Sequence, residues 1–469
     1  MSPDRRSLHP AAIAVYALTA LREAAVPLVI LFVFRGLDSG AVSRGLLYAA
    51  GGTAFAAVMG FLRWRTTTWW VTEEAIHHRR GLLATKETDV PLSRVQSLDL
   101  EQGLVQRMFG VHAVHVQTGG GGARGEIVLE AVGDAEIADL RALVGGRAAT
   151  RVRPDAERRL TGAELGLAAL TAGQLGIILP VLAVAGQLAQ QLFEERGVGV
   201  LTLIPDSAAE IVLAVAALIA AAWLLSMAGT VVAFAGFTVA REGSRLQIRR
   251  GLFARRETTV PIDRIRAVVV VEGVFRRPLR LAAVRMEVIG HAEEPAAAQT
   301  LYPLLARDRV RGFLEHLLPE LADDLDGLEP LPLRAAPRYA ADPASDALIV
   351  AIPVALFTPV GWWALAIVAL AAAHGLARHR AAAWRLRDGR LAVRSLLFAR
   401  KTILGRAVDR ESHAVAQSVL QRRASLADLE VAFGKQLTAR VHHLEAATAQ
   451  ALFERVSAAR PASRVTTGT

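Results

Sequence analysis

Residues 81–111 read GLLATKETDVPLSRVQSLDLEQGLVQRMFGV, and 170 positions later, at 251–281, the chain reads GLFARRETTVPIDRIRAVVVVEGVFRRPLRL. With no gap, Gly81 falls on Gly251, Glu87 on Glu257, Pro91 on Pro261, Arg94 on Arg264, Gly103 on Gly273 and Arg107 on Arg277. A more divergent copy lies a further 145 positions on: LFAR at 397–400 repeats LFAR at 252–255, and SVLQRRASLA at 418–427 falls beneath GVFRRPLRLA at 273–282. One module is therefore written three times, and an internal repeat outranks every local signal in deciding the fold.

Working outward, each copy is preceded by apolar sequence on the scale of a bilayer crossing, about 20 residues for a helix. Ala11–Phe34 and Gly45–Leu62 precede copy one, Leu165–Ala189 and Ile211–Phe237 precede copy two, and the uncharged run Ala347–Ala373 precedes copy three. That last run is long for one span and short for two. Pro353 and the turn-forming TPVG at 358–361 favour a tight hairpin. Arg22 and Glu23 interrupt the first span, which suits an amphipathic entry helix over Ala11–Leu21 with the true span starting near Ala24. The chain of 469 residues is 53% hydrophobic, its mean hydropathy is positive, and the apolar residues are gathered in blocks. These features predict an uncleaved, multi-pass membrane protein.

Arg5, Arg6, Arg63, Arg65, Arg151, Arg153, Arg158 and Arg159 flank the spans, whereas the loop from Glu194 to Asp206 is net acidic. By the positive-inside rule the amino terminus and the modules face the cytoplasm. The net charge of +10 is unevenly placed. Residues 236–290 hold twelve Arg against five carboxylates and 384–431 hold nine Arg and one Lys against five, but 66–120 hold four Arg and one Lys against six. Cysteine is absent, which excludes disulfides, thiol nucleophiles and thiolate metal sites.

Inside the modules the hydrophobic period changes to two. Thr66–Arg80 alternates about a Glu-Glu turn, Ala84–Pro91 alternates again, and Val95–Leu100 is a further strand. Leu104–Gly110 is a short helical connector, and strands at Val111–Thr118 and Glu126–Val132 flank the glycine-rich tip at 119–125. Asp134–Val144 is a closing amphipathic helix with Ile137, Leu140 and Val144 on one face, matched by Ala306–Leu321 and Ala446–Ala458. The predicted class is an α+β membrane protein in which helical pairs alternate with three antiparallel modules of about seven strands. Its expected segments are helical pairs at 1–65, 160–237 and 346–383, modules at 66–150, 238–322 and 384–460, a linker at 323–345 and a tail at 461–469.

The stretch WWVTEEAIHHRRGLL, the two long copies quoted above and the helical pair ahead of each resemble the bacterial pleckstrin-homology-like (PH-like) membrane proteins of the YdbT-like group, with three such domains in tandem. The resemblance covers almost the whole chain and is weakest in copy three, where Arg406 stands at the proline position and Asp409 at the arginine position. It implies a bent antiparallel sandwich closed by a carboxy-terminal helix, a membrane location and no catalytic chemistry.

Basic side chains gather on and near the second hairpin of each copy: Arg79, Arg80 and Lys86; Arg249, Arg250, Arg255 and Arg256; Arg394, Arg400 and Lys401. They are the candidate contacts to anionic lipid, worth about 1 kcal/mol per basic residue near such a surface; the competing reading is solvated charge placed by topology. Gln106-Arg107, Arg276-Arg277 and Gln421-Arg422 on the connectors read as surface residues beside a core Val105, Phe275 or Leu420.

His77-His78, His112/His115 and His442-His443 lack ligand spacing, so no metal is expected. Asp99 and Glu101 share a strand face but have no catalytic frame around them, and the glycine-rich tip lacks the Lys-Ser/Thr of a phosphate loop. No cofactor, no catalytic residue and no nucleic-acid partner are expected. The leading expectation is a non-enzymatic platform in the bacterial cytoplasmic membrane that binds the anionic inner leaflet and a protein partner or further copies of itself, in envelope maintenance or stress resistance. The alternative is a transport or permeability component whose helices work while the modules scaffold them.

Overall fold

The structure, a computed structural model, describes residues 5–19, 21, 41–81, 84–118, 127–145, 155–172, 208–288, 299–323, 325–357, 361–434 and 437–459. The Arg22–Glu23 pair, the loop from Glu194 to Asp206 and the glycine-rich tip lie outside these residues, with much of the spans beginning at Ala11 and Leu165.

Among the described residues each copy supplies seven strands. Copy one holds β1 (Arg6–Ser7), β2 (Thr68–Val71), β3 (Ala75–Arg80), β4 (Lys86–Pro91), β5 (Val95–Gln102), β6 (Val111–Thr118) and β7 (Ile127–Gly133). Copy two holds β8 (Ala156–Arg159), β9 (Thr238–Glu242), β10 (Arg245–Arg250), β11 (Arg255–Pro261), β12 (Ile265–Glu272), β13 (Leu281–Val288) and β14 (Thr300–Ala306). Copy three holds β15 (Glu329–Pro330), β16 (Ala383–Arg387), β17 (Arg390–Leu396), β18 (Arg400–Arg406), β19 (Ser412–Ala416), β20 (Leu426–Ala432) and β21 (Thr438–Glu445). Closing helices follow at Asp134–Gly145, Val310–Leu317 and Ala446–Ala458.

The sheets do not respect the repeat boundaries. Their strand orders are β1-β2-β3-β4, then β7-β6-β5-β11-β10-β9-β8, then β14-β13-β12-β18-β17-β16-β15, then β19-β20-β21. The last three strands of one copy thus continue into the first four of the next. The chain accordingly divides into two compact units, Met1–Thr259 and Val260–Thr469, with the cut falling inside the second copy.

In the first unit, Trp69, Ile76 and Val90 of β2–β4 pack with Leu98, Val114, Val116, Ile127 and Leu129 of β5–β7 under Ile137 and Leu140 of the closing helix. In the second, Leu391, Val393 and Ile403 pack with Leu426, Leu429, Val441 and Phe433 beneath Leu452 and Val456. These are the period-two and helical faces expected from the sequence, now sandwiched.

Short strands ahead of each helical segment complete the first half-sheet. Ser7 faces Thr68, Arg159 faces Thr238 and Pro330 faces Ala383. Both ends of each inserted helical segment are therefore held one strand spacing apart, about 4.8 Å, so the chain returns to where it left. Glu329–Pro330 falls within the stretch expected as a linker.

Helices run over Ala41–Thr66 and Ala208–Phe234, and the third insertion is a pair, Ala336–Phe357 and Gly361–Ala381. A Cβ on Gly375 would stand 1.9 Å from the Tyr339 carbonyl oxygen and one on Gly361 2.3 Å from that of Ala355, so these two arms touch at both ends through glycine. Among the described residues one helical stretch, Leu333–Phe357, is long and apolar enough to cross a bilayer.

Gly81 (φ 134°) and Gly251 (φ 109°) close the second hairpins, and a Cβ there would strike the carbonyl oxygen of Ala84 or Ala254. That requirement explains the first residue of the repeated stretch. In copy three Leu396 stands at this place and the strand runs one residue further.

Candidate functional site at the first joint

The strand pairs that join successive copies have one register. At the first joint Gln102 faces Arg255, Glu101 faces Arg256 and Leu100 faces Glu257. At the second, Glu272 faces Arg400, Val271 faces Lys401 and Val270 faces Thr402, continuing to Ala267 opposite Gly405. Shifted by the repeat spacings, these are the same positions. The side chains differ. Arg256 donates to Glu101 at 2.9 Å, and the Thr259 N–H donates to Asp99 at 3.3 Å. Asp99 and Glu101, which share a strand face, are thus spent on stitching two copies together.

At the second joint Glu272 is 1% exposed and accepts from Arg400 Nε at 2.9 Å and again from its Nη2, while Arg307 Nε lies 3.5 Å from the same carboxylate. Burial pulls the Arg307 guanidinium down, but Asp326 and Glu272 outweigh it and hold the charge on. Arg394 reaches the Leu325 carbonyl, and burial, followed by repulsion from Arg307 and Arg400, lowers its affinity for a proton.

Copy one has Gln102 at the place of Glu272, and Gln102 turns its amide to the Val111 carbonyl at 3.3 Å. The Arg255 side chain, opposite, is exposed and has no hydrogen-bond or ion-pair partner among the described residues. Beside it opens a cavity of about 630 Å³ with six arginines, Arg107, Arg159, Arg249, Arg250, Arg255 and Arg256, against Glu157 and Glu257. Arg159 bonds Glu157 at 2.7 Å, and Arg249 lies 3.3 Å from Glu257. With Arg256 held by Glu101, the exposed Arg107 and Arg255 side chains are left without a carboxylate among the described residues, the arrangement that anion recognition requires.

The cavity adjoins the end of the apolar helix Ala208–Phe234. The Gly251 N–H donates to the Ala235 carbonyl at 2.9 Å and the Leu252 N–H to Val232 at 3.0 Å, so the hairpin tip is pinned to that helix with Leu252 and Phe253 exposed. In copy three the equivalent Leu397 and Phe398 are exposed, and the Phe398 ring stacks 6.0 Å from His374 of the hairpin helix.

The connectors are inverted relative to expectation. Phe275 and Leu420, expected as core, are 56% and 54% exposed, Met108 is 82% exposed, and Val105 is only half-buried. The inward residues are the polar ones. Gln106 is buried; Gln421, 5% exposed, donates to Asp428 at 2.6 Å and closes a capping box with Ser418. Arg276 donates to the Pro303 carbonyl at 3.1 Å, and burial together with Arg285 pulls it down to about 10. In the second and third copies the polar side chain satisfies an acceptor at the sheet end, leaving the apolar ones outside.

The ten expected contact residues therefore separate. Arg249, Arg250, Arg255 and Arg256 meet at the first joint. Arg394 and Arg400 belong to the buried network of the second, and Lys401 is exposed on its outer side. Arg79, Arg80 and Lys86 lie exposed on the first copy's outer hairpin, with Arg80 facing Lys86. Sequence reasoning missed Arg107 and Arg159 as members of the cavity; the repeat alignment, which shows Gln102 against Glu272, held the signal.

The histidines serve the fold. His77 bonds Asp89 at 2.6 Å, His442 bonds Asp428 at 3.2 Å and His443 bonds Asp342 at 3.0 Å, while burial and Arg80 pull His78 down to about 4. No group suited to a metal ion occurs among the described residues.

The chain is similar to the UPF0699 transmembrane protein YdbT of Bacillus subtilis (strain 168), at 23% identity covering 91% of this chain and 92% of the relative. No solved structure matches it. The family model described as Bacterial PH domain matches three times, at residues 14–148, 167–321 and 347–460. With most of its length matched and the same fold written three times over, the chain belongs to the bacterial PH domain family.

Proposed function

We propose that this chain is a membrane-embedded, non-catalytic platform whose first joint binds the anionic headgroup of a lipid. The observation that carries the reading is the contrast between the joints: the second neutralises its arginines with a buried glutamate, whereas the first leaves Arg255 facing Gln102 at the mouth of an arginine-lined cavity. The setting agrees. The cavity sits at the end of an apolar helix beside exposed Leu252 and Phe253, the level at which a phosphate and its acyl chains separate. The similar protein is named a transmembrane protein, and the arm Leu333–Phe357 is apolar enough to insert into a bilayer. Placement of the modules on the cytoplasmic side follows from the arginine bias about the spans.

The test is lipid retention by the full chain purified in mild detergent from bacterial membranes. Wild type is expected to retain phosphatidylglycerol and cardiolipin above their share of the membrane. Gln102→Glu, which supplies the carboxylate found at the second joint, and Arg255→Ala are expected to return retention to that share. Equal enrichment in all three proteins would overturn the reading.

A further inference from the structure

The internal joints account for two strand edges of each kind, and two edges remain. Copy one's β4 is the outer strand of its four-stranded sheet, although its counterparts β11 and β18 are each paired to the preceding copy. Copy three's β19 is the outer strand of its three-stranded sheet, although its counterparts β5 and β12 are each paired to the following copy. The exposures agree. Thr402, Ile403, Leu404 and Gly405 of β18 are buried, as are Ala267 to Val270 of β12, whereas Lys86, Glu87 and Asp89 of β4 and Ser412, Ala414 and Ala416 of β19 are exposed. Exposed strand edges are usually blunted by bulges, prolines or inward charges. No bulge interrupts β4 or β19 in its pairing, Pro91 only ends β4, and β19 reads SHAVA.

We propose that these two edges join head to tail between copies of this chain, β19 of one molecule receiving β4 of the next in the register of the internal joints. Carrying that register over by the repeat spacings sets Ser412 opposite Val90, His413 opposite Asp89, Ala414 opposite Thr88, Val415 opposite Glu87 and Ala416 opposite Lys86. No like charges face each other, and His413 meets a carboxylate, so the side chains accept the pairing. The occupant is a second copy because the two edges are the two halves of a joint this chain already makes twice. The contact is heterologous and therefore closes into a ring or grows as a row. This inference stands apart from the lipid reading.

The absence of cysteine makes the test direct. Two differently tagged full-length chains, one carrying Glu87→Cys and the other Val415→Cys, are co-expressed and their membranes oxidised. A disulfide-linked dimer bearing both tags is expected from this pair or from the neighbouring pair Thr88→Cys with Ala414→Cys, since opposed residues alternate between wide and close spacing. The misregistered pair Thr88→Cys with Val415→Cys, whose side chains project to opposite faces, is expected to yield several-fold less. Three results would each overturn the proposal: no mixed-tag dimer, equal yield from the misregistered pair, or a disulfide that forms only when both cysteines are in one chain. Capture of a different protein in place of the tagged copy would overturn it as well.

Discussion

Glu272 and Gln102 hold the same place in two copies of one joint, and the single difference between carboxylate and amide decides whether the arginine opposite, Arg400 or Arg255, is neutralised. Glu272 is enclosed between Arg400 and Arg307, and Arg307 keeps Asp326, so removing the carboxylate leaves the largely buried Arg400 guanidinium unpaired. Breaking such a pair from one side costs about 3–5 kcal/mol. Glu272→Ala is therefore expected to lower the thermal midpoint of the purified chain by several degrees, and a melt unchanged from wild type would contradict the assignment. Single residues were unevenly legible beforehand. The left-handed position before β6, β13 and β20 is filled by Gly110 (φ 64°), Arg280 (φ 53°) and Ser425 (φ 53°), and the glycine alone announces it. The other two are held there between the connector and the strand that follows, a tertiary constraint that residue type does not record.

Among the elements, the inserted hairpin Ala336–Phe357 with Gly361–Ala381 has less reach than its length suggests. Its first arm carries Arg338, Asp342 and Asp346, and Tyr339 and Asp342 bond His442 and His443 of the third copy. Only 347–357 is uncharged, and at 1.5 Å per residue that is about 16 Å, half of a hydrocarbon core of about 30 Å. The turn is expected to stop near the bilayer midplane. In the cysteine-free chain, Phe357→Cys in intact cells should resist a membrane-impermeant maleimide added from outside; rapid labelling would mean that the hairpin crosses. The turn expected at 358–361 lies, but for Gly361, outside the described residues. The strands β1, β8 and β15 were not readable beforehand, since two to four residues are too short to show a period. The connectors misled for a related reason: spacing identifies a face but not which way it points, and here buried acceptors draw Arg276 and Gln421 inward, with Gln106 buried at the equivalent place.

For the whole molecule, the three copies were visible as repeats and each copy's strands as alternation, but the sharing of sheets was not. Strand pairing leaves no periodic trace of which partner is chosen, and a self-contained sandwich satisfies the same alternation as one completed by its neighbour. The consequence is measurable by truncation. A chain ending at Asp323 would uncover β12, whose Ala267–Glu272 reads AVVVVE, an apolar, β-branched run prone to aggregate once it becomes an edge. Such a chain is expected to elute as soluble aggregate in size-exclusion chromatography in detergent, whereas the full chain elutes as a defined species; a monodisperse truncated chain would show that the second copy closes on itself.

The common register of the two joints also bears on how such a chain comes to exist. A gene segment duplicated in tandem would deliver a module that already fits both the copy before it and the copy after it, with no surface left to invent. Copy number then becomes something that descent can alter in one step, while sequence differences such as Gln102 against Glu272 accumulate afterwards and give each coupling its own chemistry.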